Sequence, residues 1–286
     1  MSNALNARMA LAKHGFHYSH SLGQNFILDD ALTERIADAA GVGQGDNILE
    51  IGPGAGVLTA QMAARGAKVL AVEIDRALEG VLADVLGGYP LARVIFADAM
   101  KLDIAAAANE YFQGGRFSVV ANLPYYITSD IITRLLEISM PLDAITVMVQ
   151  REAAERMMAA PGQKAYCALA ATIGYFGRCE VLLRVPPEAF FPRPHVESCL
   201  MRIALYGADK PVTARDEALL LRLIGAAFAM RRKTLQNNLT HAFGMDRQGA
   251  LTLLETCGLD EKVRGEALSL AQLARLADAV KNAQDD

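Results

Sequence analysis

Asn47-Ile48-Leu49-Glu50-Ile51-Gly52-Pro53-Gly54-Ala55-Gly56 is an apolar run that breaks into glycines at alternate positions. Such a run reads as a buried strand entering a tight turn, and Val57 to about Ala64 then reads as a helix. The pattern repeats downstream. Lys68 to Val72 is a second short apolar strand ending at Glu73, Arg76 to Leu86 carries leucines at helical spacing, and Arg93 to Phe96 is a third strand before Asp98. Phe117 to Ala121 makes a fourth and leads into Asn122-Leu123-Pro124-Tyr125. Ser129 to Ile138 is helical in pattern, and Ala144 to Val149 is again a buried strand. Short apolar strands alternating with helices predict an α/β doubly wound sheet with parallel strands, a Rossmann-like architecture. Ligands of such sheets bind beyond the carboxyl ends of the strands. The glycine turn, Glu73, Asp98 and the Asn122–Tyr125 segment all fall at those ends.

After about residue 207 the pattern changes. Ala208 to Pro211 reads as a linker, and from Ala214 onward leucines recur at helical spacing: Leu219, Leu220 and Leu223, then Leu235 and Leu239, Leu251 and Leu254, and Leu268 to Leu276. The expected organisation is a basic arm and cofactor-site entry over residues 1–28, a Rossmann-like domain over 29–207, and a small all-helical domain over 208–286.

With 286 residues, 52% of them hydrophobic, the chain can bury a substantial core. No apolar stretch reaches the roughly 18 residues of a membrane span, and the N-terminus lacks a secretory core, so a cytoplasmic protein is expected. Cys167, Cys179, Cys199 and Cys257 form no C-x-x-C pair and read as reduced thiols. The net charge of -4 hides an uneven distribution. Residues 29–150 carry 16 acidic and 8 basic side chains, whereas residues 1–28 hold Arg8, Lys13 and His14, His17 and His20 with no acid. No carboxylate or thiol joins these histidines, so a basic surface is expected rather than a metal site. Arg231, Arg232 and Lys233 form a second acid-free cluster, read as a local cationic face for nucleic acid.

The glycines of Glu50–Gly56 allow close backbone approach and suggest helix N–H groups turned toward an anionic part of a ligand. The dinucleotide pattern G-x-G-x-x-G fails, because its third position is Val57 or Thr59, which argues against a nicotinamide or flavin enzyme. Glu73 suits a ribose, and Asp98 suits an adenine amine. Carboxylate, ribose and adenine together fit S-adenosylmethionine. Asn122 offers an acceptor, Pro124 biases Leu123 toward extended backbone so that its carbonyl is available, and Tyr125 offers a stacking face. Such a set could grip a base through its exocyclic amine.

Gly23-Gln24-Asn25-Phe26-Ile27, Glu50–Gly56, Val72-Glu73-Ile74-Asp75, Ala97-Asp98-Ala99-Met100 and Asn122-Leu123-Pro124-Tyr125-Tyr126 closely resemble the ribosomal RNA adenine dimethyltransferases, most nearly the bacterial small-subunit enzymes. Gln150–Arg156, Phe190–Ser198, Arg231–Leu235 and Asn237–Leu239 extend the resemblance, which runs from about residue 15 to about 270. The resemblance implies that Asn25 and Ile27 line the cofactor site, the family more often having Leu at the latter. It also implies that Gly52 meets the methionine part, Glu73 the ribose and Asp98 the adenine, with Gly54 also in the cofactor site. Asn122 would act at the reacting centre, and Tyr125 and Phe190 would sandwich the target adenine. The implied substrate is a pair of adjacent adenosines in the 3′-terminal hairpin loop of small-subunit ribosomal RNA, met in an assembling subunit by a monomeric enzyme that needs no metal. Rival readings are a macrolide-resistance methyltransferase of large-subunit RNA, a non-catalytic assembly factor on the same fold, and a small-molecule methyltransferase.

Overall fold

The computed structural model describes residues 2–19 and 22–285. In chain order its first half comprises α1 (Asn3–Lys13), β1 (Phe26–Ile27), α2 (Asp30–Ala39), β2 (Asn47–Ile51), α3 (Val57–Ala64), β3 (Lys68–Glu73), α4 (Glu79–Leu86), β4 (Ala92–Phe96), α5 (Ile104–Phe112), β5 (Phe117–Ala121), α6 (Thr128–Glu137) and β6 (Leu142–Gln150). Next come α7 (Arg151–Met157), α8 (Ala168–Phe176), β7 (Gly177–Val185), β8 (Phe190–Phe191), β9 (Ser198–Leu205), α9 (Glu217–Ala229), α10 (Leu235–Phe243), α11 (Arg247–Thr256) and α12 (Leu270–Asp285).

Seven strands form one sheet in the order β4-β3-β2-β5-β6-β9-β7. Strands β4, β3, β2, β5 and β6 run parallel, and β9 pairs antiparallel with β6. Because β2 is flanked by β3 on one side and β5 on the other, the strand order reverses there. That reversal opens a crevice at the carboxyl ends. The central strands read as continuous apolar runs because both faces are covered; Ile48, Leu49 and Ile51 of β2 and Val69, Leu70 and Ala71 of β3 are all buried. One core cluster packs α2 and α3 on the sheet through Leu32, Ile36, Leu58 and Met62.

Residues 2–13 are not an arm. Ser2 Oγ caps α1 by accepting from Leu5 N–H at 3.1 Å, and Ala4, Ala7, Ala10 and Leu11 are buried in a cluster with Leu78, Val81 and Leu82. A stripe of alanines lets two helices approach closely yet adds little hydrophobicity, so periodicity alone does not announce it. Its cations have partners within the fold: Arg8 donates to Leu28 O at 3.0 Å, and Lys13 and His14 both meet Asp84 at 2.8 Å. His20 lies outside the described residues.

The chain divides into two compact units, Met1–Ala154 with Glu180–Leu205, and Glu155–Cys179 with Tyr206–Asp286. The expected single boundary near residue 207 is therefore incomplete. Ala170, Ala171 and Tyr175 of α8 share a core with Leu220, Leu223, Leu235, Leu239, Leu254 and Leu276, so α8 belongs with the C-terminal helices. Arg231, Arg232 and Lys233 sit in the turn between α9 and α10 rather than on a helix surface. No helix among the described residues is long and apolar enough to cross a membrane.

Candidate active site

A cleft enclosing about 1010 Å³, its open mouth included, lies at the carboxyl ends of β2 to β5. Its wall contains Asn25, Ile27, Gly52, Gly54, Glu73, Asp98, Asn122, Leu123, Pro124 and Tyr125. Ten of the sequence-derived site positions thus converge on one crevice, each delivered by the end of a strand or by β1 and the segment before it.

Three of the turn's own N–H groups are engaged within the fold. Gly52 N–H donates to Val72 O at 2.8 Å, Gly54 N–H to Glu73 Oε2 at 3.1 Å and Gly56 N–H to Pro53 O at 2.9 Å. Gly54 has φ +55°, and a Cβ there would lie 2.9 Å from the Phe26 ring, so the turn needs glycine for packing as well as conformation. What the turn presents is a close backbone surface beside two buried carboxylates, Glu50 and Glu73.

Glu73 closes β3. Its Oε2 accepts from Gly54 and its Oε1 from Asp75 N–H at 2.8 Å, and Ile74 N–H also bonds the carboxylate, which leaves capacity for one further donor. Burial pushes its pKa up, and the N–H bonds from Asp75 and Gly54 oppose that rise. Asp98 follows β4. Its Oδ1 accepts from Met100 N–H at 2.9 Å while Lys101 stands 3.5 Å from Oδ2. Arg134 of α6 clamps the same loop, donating to Met100 O at 2.7 Å and Leu102 O at 2.8 Å. The helix that starts after the Asn122–Tyr125 segment therefore also holds the Asp98 turn in place.

Asn122 Nδ2 donates to Asn25 O at 2.8 Å. A carbonyl partner requires the amide's NH2 on that side, so Oδ1 is the atom left for a ligand. Among the described residues no donor meets either Asn122 Oδ1 or the Leu123 carbonyl, although Leu123 is buried and lines the cleft. Two unfilled acceptors at one point of a cleft match the two protons of an amine. Tyr125 stands beside them, its hydroxyl 2.7 Å from Ser198 Oγ. Burial raises the Tyr125 pKa, with the Ser198 bond opposing, so the ring is a neutral wall and not a base. Ser198, fully buried, was visible in sequence as part of Phe190–Ser198, but its task depends on a contact across 73 residues of chain.

Phe190 departs from expectation. Strands β1 and β8 pair Ile27 with Phe190 and Phe26 with Phe191. Directly opposed residues share a face, so Phe190 turns inward with Ile27 into the core and is 3% exposed, while Phe191 turns outward. Phe190 does not reach the cleft wall, and the expected Tyr125–Phe190 sandwich is not formed in this arrangement.

Glu50, to which no role was attached from sequence, is an acid in the middle of a buried strand. Burial pushes its pKa up to about 8; the 2.5 Å bond from Thr59 Oγ1 opposes this and the neighbouring Glu73 adds to it. Between the ordinary carboxylate range and pH 8 the folded chain keeps a proton that the unfolded chain has lost. Stability therefore falls as pH rises through that window and levels off above it. Glu50→Gln, which retains an acceptor for Thr59, removes this dependence. Its unfolding free energy is expected to gain on the wild type by at most about 1.4 kcal/mol per pH unit from pH 5 to 8. Parallel urea titration curves at both pH values would contradict a buried proton on Glu50.

A crossed sheet of this order, with acids closing β3 and β4 beside a glycine turn and an amide-aromatic segment after β5, defines a Rossmann-like methyltransferase. The chain belongs to the ribosomal RNA adenine dimethylase family, whose model matches residues 15–282. It is 40% identical over 279 residues to the ribosomal RNA small subunit methyltransferase A of Alkaliphilus oremlandii, covering 97% of both chains. It is 43% identical over 274 residues to the protein of the same name from Shouchella clausii, covering 94% of this chain and 92% of the relative. Among solved structures, the 23S rRNA methyltransferase ErmE matches with a TM-score of 0.64 at 25% identity, over 90% of this chain and all of the other. A dimethyladenosine transferase from Plasmodium falciparum shares the fold with a TM-score of 0.69 at 24% identity, over 87% of this chain and 94% of that one.

Proposed function

We propose that this chain transfers methyl groups from S-adenosylmethionine to the N6 amines of two adjacent adenosines in the 3′-terminal hairpin of small-subunit ribosomal RNA, in the cytoplasm during subunit assembly. The observation that carries this reading is the pair of open acceptors, Asn122 Oδ1 and Leu123 O, beside the Tyr125 ring at the mouth of an acidic cleft. The small-subunit substrate rests on the two relatives at 40% and 43% identity.

The cleft fits the cofactor. Glu73 keeps acceptor capacity for a ribose hydroxyl, and Asp98 faces the same space. When bound, S-adenosylmethionine supplies the electrophilic methyl. The protein's own contribution is orientation. Adenine's amine is a weak nucleophile because its lone pair is delocalised into the ring. Accepting its two hydrogens at Asn122 Oδ1 and Leu123 O favours a pyramidal nitrogen and aims the lone pair into the cleft, while Tyr125 holds the base plane. Positioning of this kind supplies most of the rate, and water can take the proton that the amine sheds afterwards.

Purified protein incubated with labelled S-adenosylmethionine and, separately, small subunits and large-subunit RNA from an unmodified strain tests the reading. Dimethyladenosine in the small-subunit hairpin is expected. Label confined to large-subunit RNA would instead align the chain with ErmE-type activity, and no label in either would leave an assembly factor.

The cationic turn supplies a further expectation. Arg231 donates to Lys164 O at 2.7 Å and stands 3.5 Å from Glu266, so part of its task is internal. Arg232 and Lys233 are exposed and are the phosphate contacts we assign. Replacing both by Gln should lower the slope of log affinity against log salt for RNA by about one to two. An unchanged slope would return the turn to plain surface.

A further inference from the structure

We propose that Tyr126 is a second stacking platform, which holds the nucleobase next in sequence to the adenosine being methylated. The assignment rests on the reading of the cleft as a target-adenosine site. Ile127 N–H donates to Pro124 O at 3.2 Å, closing a turn whose two central residues are Tyr125 and Tyr126. Their side chains part at the tip. Tyr125 turns in to Ser198, whereas Tyr126 stays on the cleft wall yet is 63% exposed, and no described group bonds to its hydroxyl.

The ring is nonetheless held. A Cβ on Gly23 would lie 3.1 Å from Tyr126 Cδ1, 3.2 Å from Cε1 and 3.4 Å from Pro124 Cβ, and Gly23 itself has φ +59°. One edge of the ring thus rests on bare backbone beside Pro124, which restrains it while leaving a face open to solvent. Burying neither its ring nor its hydroxyl, Tyr126 gains little from folding. A restrained, open aromatic face one residue from the ring that flanks the reacting amine is suited to the neighbouring base of an unpaired strand, because every base has a π-face and bases stack readily on tyrosine. Two consecutive rings then meet two consecutive bases. This explains how a cleft with a single pair of amine acceptors could serve adjacent adenosines in turn: the waiting base is parked at the rim.

The test compares Tyr126→Ala, Tyr126→Leu and Tyr126→Phe with the wild type on unmodified small subunits, reading kcat and KM for subunits, the Kd for S-adenosylmethionine and the share of methyl at each adenosine. Loss of one base stack is expected to raise the subunit KM about tenfold in the Ala and Leu variants. The Phe variant should recover most of it, with cofactor Kd unchanged throughout. A merely structural role would be satisfied by Leu and would not distinguish Leu from Phe. If the wild type methylates subunits and Tyr126→Ala matches its KM, or if the loss appears equally in cofactor Kd, the platform is overturned. If the wild type places no methyl on small subunits, the reading of the cleft fails and the platform falls with it.

Discussion

Asn122→Ala should lower kcat for methyl transfer by about 10²–10³-fold, the scale seen when one oriented polar group is removed from a reacting centre. Cofactor Kd should stay within about threefold, because the ribose and adenine contacts assigned to Glu73 and Asp98 are untouched. The geometry makes the effect specific. Asn122 Nδ2 is tied to Asn25 O at 2.8 Å, and this bond fixes which end of the amide faces the cleft. Asn122→Asp keeps the shape but replaces the donor with an acceptor, so a carboxylate would face the Asn25 carbonyl and swing away or draw in a proton. It should therefore be no more active than Ala, despite offering more acceptor atoms. Single-turnover rates on small subunits, with Kd measured separately, decide the matter: an Asp variant with more than a tenth of the wild-type rate would show that the Asn25 bond does not orient the amide.

Much of this site is legible in the chain because its residues follow strands whose ends can be read locally. β2 and α3 appear at the expected residues, since an unbroken apolar pentad followed by alternating glycines admits few other structures. Elements that depend on distant partners were not readable in the same way. Strand β9 gains its place from antiparallel pairing with β6 and β7 from lying beside β9 at the edge of the sheet, and two-residue strands such as β1 and β8 carry no periodicity at all. That last gap matters for function, because the β1–β8 register sends Phe190 into the core and Phe191 outward. Alanine-rich helices also carry little periodic signal. Ala105–Ala108 looks like a compositional run but lies within α5, where alanine is the best helix former. The glycine turn shows the converse case: its conformation could be foreseen, whereas the capture of the Gly54 N–H by a carboxylate 19 residues away could not.

Glu73→Gln is expected to raise the Kd for S-adenosylmethionine about a hundredfold or more, the loss of one or two hydrogen bonds to an ionised acceptor at about 1.5–3 kcal/mol each. The change is nearly isosteric, so the loss is chemical. Both carboxylate oxygens already serve backbone N–H groups, Gly54 at 3.1 Å and Asp75 at 2.8 Å with Ile74 as a third donor, and a ribose hydroxyl would use the capacity that remains. A glutamine presents one oxygen and one NH2, so one of these N–H groups must face another donor. The turn that Gly54 ties to residue 73 would loosen together with the ribose contact we assign. A second consequence separates this account from simple loss of a surface charge. Glu73 contributes to the raised pKa of Glu50, after the larger effect of burial, so neutralising it should bring the Glu50 pKa down. The window in which stability falls with rising pH then ends at a lower pH in the variant, because the folded chain surrenders the Glu50 proton earlier. Titration calorimetry with cofactor and urea unfolding at several pH values measure the two effects independently. Cofactor affinity within about threefold of wild type would remove Glu73 from the ribose site, while an unshifted pH window would show that the two buried carboxylates do not sense each other.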